Sequence, residues 1–286
     1  MQLVGLQSTD VTVGIKAAGG KLRVNPSRAS LYGGTYQGDI SLDVTGAQPV
    51  LKLNERLQNV QFGPFSRDLL DASRLSGTLS GRITTTGSGA TADAITASTS
   101  GNAEFAFKDG AYEGVDIWHR VRRARAVIKG GEAPAAPAEK RTRFADLTGT
   151  ANIADGVLYT DDLSMVLPFM KVRGSGNLKL LSQELDFKFR GDIVDRPELT
   201  ADVNDLVGVT IPLKVTGAVS QPDVNIDMGA VLAEVAKRKL GDKLGLGDGE
   251  PGQDAEDAID QKKEELKDEI EDKLKDKLKD LFGGGG

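Results

Sequence analysis

The segment that decides the fold class is Val207-Gly-Val-Thr-Ile-Pro-Leu-Lys-Val215. It places an apolar side chain at every second position, with glycine, polar residues and one proline in between. Successive side chains of a β-strand point to opposite faces of the sheet, so this period of two predicts a strand with one buried and one wetted face. The segment therefore indicates a β-protein.

The same alternation recurs along the chain, in residues 36–44, 103–107, 185–189 and 224–228. Turn signals separate the runs, among them Asp109-Gly110 and Asp155-Gly156, which supply the positive φ that tight hairpin turns need. A loose repeat with a central glycine also recurs, as in Leu75-Ser-Gly-Thr-Leu79. Glycine inside a strand often marks a bulge, so we expect a curved, antiparallel meander.

Three segments depart from the strand pattern and predict helices. Residues 65–72 resemble a short helix, and residues 115–129 carry an apolar stripe ringed by arginines. The third begins at residue 229 and is rich in Ala and Lys. The predicted domains are a β-sheet domain over residues 1–228 with a helical insertion at about 115–129 and a loop at 130–140, a helix and Gly/Asp linker over 229–253, and a charged amphipathic helix over 254–286.

The net negative charge of the chain comes from its C-terminal tail. The formal net charge is −6, and residues 250–286 alone hold thirteen acids against seven lysines. The preceding residues are therefore neutral as a group. Affinity for nucleic acid is built largely from Lys and Arg that neutralise phosphates, so this balance argues against nucleic acid as a partner.

Residues with catalytic or metal-binding chemistry are scarce. The chain has no cysteine and one histidine, His119, and no serine or carboxylate stands at a spacing from it that is typical of a triad. The Gly-rich residues 84–89 lack the Gly-Lys-Ser/Thr of a phosphate loop. Asp161 and Asp162 lack the regular spacing of a calcium loop. We expect no enzyme activity, no metal and no cofactor.

Two amphipathic helices are candidates for contact with a membrane surface or an envelope protein. The predicted helix at 115–129 sets basic residues around Trp118, as interfacial helices do, and a helix that caps the sheet and buries this ring fits the same pattern. The apolar stripe of the tail, ringed by paired charges, fits a docking helix or a solvated one. The candidate contact residues are Trp118, Arg122, Arg123, Arg125, Leu266, Ile270, Leu274 and Leu278.

The ends and faces of the predicted sheet leave alternatives open. No run approaches the ~18 consecutive apolar residues of a spanning helix, and the first residues lack the basic and apolar regions of a signal peptide. The chain opens in strand-like sequence, as a fragment would. The apolar strand faces can be hidden by closing a barrel, by stacking two sheets, or by curling into a trough that holds an apolar ligand.

Several stretches in fixed order closely resemble the C-terminal region of AsmA family proteins. The first is Leu31-Tyr-Gly-Gly-Thr-Tyr-Gln-Gly-Asp-Ile-Ser-Leu-Asp43. The others are residues 100–117, 142–149 followed by 155–163, 174–178 and 211–223. The resemblance covers about Leu22 to Leu240, and the residues beyond Gly241 match no motif of the family.

The resemblance implies an envelope protein of Gram-negative bacteria with a large periplasmic body, anchored in the inner membrane by one N-terminal helix. That body is expected to be a long curled β-sheet whose apolar interior carries phospholipid acyl chains towards the outer membrane, and the family is also associated with outer-membrane assembly. The anchor and the upstream part of the trough are missing from the sequence, so we expect a C-terminal portion.

Together these inferences predict a mainly β fold, a long curved and largely antiparallel sheet forming a groove or trough, with short edge helices and a charged α-helical tail. The expected function is non-enzymatic phospholipid transport between the inner and outer membranes, and outer-membrane biogenesis. The alternative is a structural or assembly-factor module that binds protein partners without carrying lipid. The groove candidates are Ile40, Leu42, Val44, Phe105, Phe107, Leu178, Leu185, Phe187, Phe189, Val209, Ile211, Leu213 and Val215.

Overall fold

The computed structural model describes residues 2–3, 6–70, 74–128, 132, 134–194, 206–227 and 229–231. It divides into two units, Met1–Asp227 and Met228–Gly286. Of the second unit only residues 229–231 are described, so the predicted charged helix at 254–286 lies outside the described residues, as do Leu266, Ile270, Leu274 and Leu278. The predicted domain boundaries stay predictions.

The first unit is built from strands with three short helices between them. The N-terminal elements are β1 (Gln2–Leu3), β2 (Leu6–Ala18), β3 (Lys21–Leu31), β4 (Gly34–Asp43), β5 (Val50–Gln61), α1 (Phe62–Leu70), β6 (Leu75–Ser88) and α2 (Ala92–Ser98). The remaining elements are β7 (Ser100–Glu113), α3 (Ile117–Ile128), β8 (Arg141–Ala154), β9 (Val157–Leu167), β10 (Met170–Lys179), β11 (Glu184–Ile193), β12 (Thr210–Ala218) and β13 (Gln221–Ile226).

Every strand pairs with the next strand along the chain, so the order in the sheet follows the order in the sequence. The pairings from β2 to β13 are antiparallel. Three of the tight turns, at Gly19-Gly20, Tyr32-Gly33 and Asp155-Gly156, have positive φ at both central residues, as two-residue hairpin turns require. The prediction of an antiparallel meander is confirmed.

The strands alternate in direction, so consecutive connections fall at opposite ends of the sheet. At one end, here called the helical end, α1 joins β5 to β6 and α3 lies between β7 and β8. At the opposite end, the loop end, short turns join β2 to β3, β10 to β11 and β12 to β13. The seven-residue α2 joins β6 to β7 at this end.

The sheet is open and curled. Helix α1 contacts β2, β5 and β6, although β2 and β6 are four strands apart in the sheet. Four strand spacings measure about 19 Å in a flat sheet, whereas a helix is only about 10 Å across, so the sheet must bend around α1. On the other side, Arg120 of α3 donates a hydrogen bond to the carbonyl of Val224 on β13 at 2.5 Å. The strands on both sides of the sheet therefore bend around the helices at the helical end.

Bulges give the strands the bend that this curl needs. The register between β5 and β6 shifts between Leu57 and Val60, where Asn59 has a φ of 54°. The register between β6 and β7 shifts between Ser76 and Thr78, opposite Asp109, which has a φ of 50°. A bulge inserts an extra residue, bends the strand and increases its twist.

Helix α3 is fixed at its start by side chains. The Asp116 carboxylate accepts a hydrogen bond from the backbone N–H of His119 at 2.8 Å, as an N-cap residue does. The Thr142 hydroxyl accepts from the Ile117 N–H at 3.1 Å and donates to the Val115 carbonyl at 2.7 Å. These bonds hold α3 against β8 at the helical end.

Candidate functional site

One face of the sheet is apolar, and the register shows that it continues from strand to strand. Each member of one row pairs directly with the next across neighbouring strands. The row is Val24, Ile40, Leu53, Thr85, Gly101, Ile153, Leu158, Leu178, Leu185 and Gly217. This face, defined by the row and by the alternate residues above and below it, is here called the apolar face.

Eleven of the thirteen sequence-predicted groove residues fall together in strands on the apolar face, and Val209 and Val44 lie outside the strands. Those in strands on this face are Ile40, Leu42, Phe105, Phe107, Leu178, Leu185, Phe187, Phe189, Ile211, Leu213 and Val215. Val209 lies just before β12 and is fully buried. Val44 was wrongly assigned to the strand, because β4 ends at Asp43 and the Val44 side chain is 51% exposed in the loop. A role in binding stays a prediction for all of them.

Burial of the apolar face differs between its two ends. Near the helical end, Phe107, Ile211 and Leu213 are buried, and Met170 is 1% exposed. Towards the loop end, Leu42, Leu178 and Leu185 are only half-buried. On β2 and β3 the exposure is larger still, 66% for Ile15 and 37% for Leu22. The helical end of the face is therefore a core, whereas the loop end is buried at its centre, at Thr85 and Ile153, and only partly covered on the strands to either side.

Aromatic rings on the apolar face lie over glycines of the neighbouring strand. Phe187 pairs with Gly176 and Phe189 with Gly174, and a Cβ at either glycine would overlap the ring. The two rings are nearly parallel, with an interplanar angle of 18° and centroids 6.0 Å apart. Glycine is required at 174 because the Phe189 ring occupies the space of a side chain, and at 176 because the backbone of Asp186 and Phe187 also lies in that space.

The opposite face is polar and carries ion pairs. Arg23 and Asp39 lie 2.6 Å apart, and Lys179 and Glu184 lie 3.2 Å apart. The hydrogen bond from Arg23 lowers the pKa of the Asp39 carboxyl. Exposed pairs of this kind contribute little stability, since water screens them. They keep the polar face hydrated. The apolar face is therefore the surface for which a ligand or partner has to be sought.

The polar face has a shallow depression of about 790 Å³, lined in part by Arg82, Asn102, Asn152 and Tyr159. In the described part of the chain, no three His, Asp or Glu side chains come together as metal ligands. His119 lies in α3, and its backbone N–H bonds Asp116. The expected absence of enzyme activity, metal and cofactor stays a prediction.

The basic helix lies at the helical end, with its aromatic residue turned to the protein. The Trp118 ring packs against Phe169, in the turn between β9 and β10, with centroids 5.1 Å apart. Trp118 is half-buried, Arg122 and Arg125 are partly buried, and Arg123 is exposed. These positions fit a helix that caps the sheet, and contact with a membrane or a partner stays a prediction.

Sequence reasoning missed a polar group on the apolar face. Glu55 on β5 pairs with Gly38 on β4, which pairs with Ser27 on β3, and Tyr36 stands on the same face. Both carboxylate oxygens of Glu55 are shielded from water, and neither has a hydrogen bond of ordinary geometry. The signal was in the run Leu51, Leu53, Glu55, Leu57, in which an acid takes an apolar position.

An open, curled antiparallel sheet with an apolar face that is fully covered only at one end defines a β-groove protein. No helix in the described residues is both long and apolar enough to cross a bilayer. The sequence model of the AsmA family matches residues 1–163, more than half of the chain. The chain therefore belongs to the AsmA family, as its motifs predicted.

A curated relative extends the similarity beyond that match. Protein AsmA of Escherichia coli (strain K12) is 26% identical to this chain over 244 residues, which are 83% of the chain and 39% of the relative. The chain thus spans well under half the length of that relative. No solved structure matches the chain.

Proposed function

We propose that this protein conducts phospholipid between the inner and outer membranes of the cell envelope, with the acyl chains lying on the apolar face, and so supports outer-membrane biogenesis. The observation that carries the proposal is the set of half-buried apolar side chains at the loop end, among them Leu42, Leu178 and Leu185. The described residues place no second sheet over it. An acyl chain is a ligand of the right chemistry to cover it.

The physical basis is burial without directional bonds. Each methylene group transferred from water to an apolar surface gains roughly 0.8 kcal/mol, and the gain is independent of the chain's position along the groove. A bound chain therefore slides without breaking hydrogen bonds. The polar face, with pairs such as Arg23 and Asp39, keeps the outside of the sheet in water.

We place the protein in the periplasm, attached to the inner membrane in its longer form. Membership of the AsmA family supports an envelope role, and the match to a relative more than twice as long supports a larger whole protein. Membrane surfaces or envelope proteins are the proposed partners, with Trp118 and Arg123 of α3 as candidate contacts.

Two matched double variants test lipid binding. Leu42→Asp with Leu178→Asp puts two charges on the apolar face, and Gln37→Asp with Ser175→Asp puts two on the polar face of the same strands. Native mass spectrometry of each purified protein reports bound phospholipid, and circular dichroism reports the fold. We expect bound lipid in the wild type and the control pair and none in the Leu42/Leu178 pair. Equal lipid in both pairs contradicts the proposal.

The second candidate function is a structural or assembly-factor module that binds protein partners. The buried helical end favours it, because there the apolar face is filled by the protein's own side chains, such as Met170 and Ile211. A wild-type protein that purifies without lipid and takes none from vesicles would establish this alternative over lipid conduction.

A further inference from the structure

The apolar face carries one charged side chain. Among the described residues that are paired across strands, Glu55 is the single Asp, Glu, Lys or Arg on this face. Its neighbours along β5 are Leu53 and Leu57, and across β6 it pairs with Ile83. A carboxylate in such surroundings is costly unless it is paired with a cation, and this face supplies none.

The surroundings of Glu55 oppose its charge. Burial raises its pKa, Tyr36 offsets part of that effect, and the like charge of Asp39 adds to it. Burial and the Glu55 interaction raise the pKa of Tyr36 to about 12, so its hydroxyl keeps its proton. Ser27, which also interacts with Tyr36, is buried. The cluster holds proton donors and one acceptor but no counter-ion.

The backbone is shaped to hold this cluster. Gly38 lies between Ser27 and Glu55 in the register, and a Cβ there would overlap the Tyr36 hydroxyl and the Glu55 carboxylate. Tyr36 therefore covers the carboxylate by lying over a glycine. A ligand that reaches Glu55 therefore has to displace the Tyr36 side chain.

We infer that Glu55 is the binding site for a primary ammonium group, brought by the headgroup of an aminophospholipid. This inference rests on the proposed lipid conduction and names the lipid class. An ammonium group supplies the missing counter-ion and three N–H donors, which replace the Tyr36 hydroxyl at the carboxylate. A headgroup whose only charge is its phosphate is repelled by the Glu55 carboxylate. The apolar face thus discriminates between zwitterionic and anionic phospholipids.

The inference is tested by lipid selection with three proteins: the wild type, Glu55→Gln and Glu104→Gln. The Gln variant keeps the shape of Glu55 and removes its charge, and Glu104 is an exposed carboxylate on the polar face. Each is equilibrated with vesicles of equal phosphatidylethanolamine and phosphatidylglycerol content and identical acyl chains, and bound lipids are counted by native mass spectrometry.

We expect the wild type and Glu104→Gln to enrich phosphatidylethanolamine by about tenfold, the factor that corresponds to ~1.4 kcal/mol. Glu55→Gln is expected to bind the two lipids in the ratio present in the vesicles. Enrichment that persists in Glu55→Gln, or is missing from the wild type, overturns the inference and leaves lipid conduction standing. If no protein binds lipid, both proposals fail.

A second measurement separates the lipid from a free amine. Glycerophosphoethanolamine carries the headgroup without acyl chains, and it is added to each protein during thermal unfolding. We expect no shift in Tm, because the chains supply most of the affinity of a bound lipid. A rise in the Tm of the wild type that is absent in Glu55→Gln would assign the site to soluble amines and overturn the lipid as its ligand.

Discussion

The helical end and the loop end of the sheet are built from the same strands with the same alternation, yet they are different kinds of surface. On β10, Met170 and Val172 are buried, whereas Leu178, on the same face, is half-buried. On β3, Leu31 is buried and Leu22 is 37% exposed. Alternation therefore selects the face, and a covering element decides whether that face becomes core.

The covering elements account for the difference. At the helical end, α1 packs on β2, β5 and β6, and α3 reaches β13 through Arg120. Phe62 of α1 meets Phe107 with ring centroids 5.0 Å apart. At the loop end, α2 has seven residues and none of them is buried. Helix α2 packs on β6, so it covers the centre of the loop end, and the described residues place no helix over the strands on either side.

The largest effect is expected from a truncation that compares the two ends on one strand. Met170→Ala removes a fully buried side chain and should lower the free energy of unfolding by about 2–5 kcal/mol, because a cavity remains. Leu178→Ala removes a half-buried side chain, and we expect at most about 1 kcal/mol. Urea denaturation followed by circular dichroism measures both. Equal losses would break the distinction between core and groove.

The second-largest effect is expected from weakening the packing of α3, the helix that caps the helical end. Trp118→Ala removes the packing of α3 on Phe169 and should lower the free energy of unfolding by about 2 kcal/mol, less than for a fully buried Trp. Arg123→Ala, on the exposed side of α3, serves as the control and should change it by less than about 0.5 kcal/mol. If the Trp118 variant matches the control, α3 is not a stabilising cap.

A smaller effect, of opposite sign, is expected at Glu55. A raised pKa means that the folded state holds the proton more tightly, so stability falls as the pH rises from the unfolded value through the folded one. Glu55→Gln should therefore raise the Tm by about 2–4 °C at pH 8, and the gain should shrink towards pH 4. The titratable groups that act on Glu55 are Tyr36 and Asp39 on β4, and its partner on β6 is Ile83.

The control for this pH dependence is Glu104→Gln, whose carboxylate is exposed on the polar face. Its Tm should follow that of the wild type between pH 4 and pH 8. A gain in Glu55→Gln that is the same at every pH would show that lost packing or polarity, and not the charge, is responsible.

The smallest effect is expected at the loop end. The Thr45 hydroxyl and N–H bond the Asp43 carboxylate at 2.6 and 2.9 Å, and together with Lys21 they lower the pKa of Asp43 to about 2. A lowered pKa contributes stability above the unfolded value, and that contribution is lost as the pH falls to about 2. NMR titration should show a clear rise of this pKa in Thr45→Val and little change in Thr45→Ser. A Thr45→Val titration identical to that of the wild type would contradict the hydrogen-bond explanation.

Much of the fold was predictable because alternation and turn chemistry are local. The run Leu185, Phe187, Phe189 marks one strand face, and Asp155-Gly156 marks one hairpin turn. The end of β4 was missed because the Asp43 side chain turns the chain by bonding Thr45, an interaction that a period of two does not contain. Helix α2 was missed because it is one short element capped by Thr91.

The candidate site was predictable only in part. The period of two identifies Leu42 and Leu178 as residues of an apolar face, but their place on the same face of one sheet depends on long-range register. Glu55 interrupts an apolar run, and only the pairing with Gly38 shows that it stays on the apolar face instead of marking a bulge. The uncovered state of the loop end depends on where α1 and α3 pack, which no local pattern specifies.

The rings over Gly174 and Gly176 bear on how a ligand would travel. Phe189 and Phe187 lie against the backbone of the neighbouring strand, so this part of the apolar face is comparatively smooth. In the proposed lipid transport, we expect a hydrocarbon tail to cross this surface with only small changes in energy. Alanine at Gly174 would displace the Phe189 ring, so we expect the proposed transit of lipid to slow even if the amount of ligand held at equilibrium is unchanged.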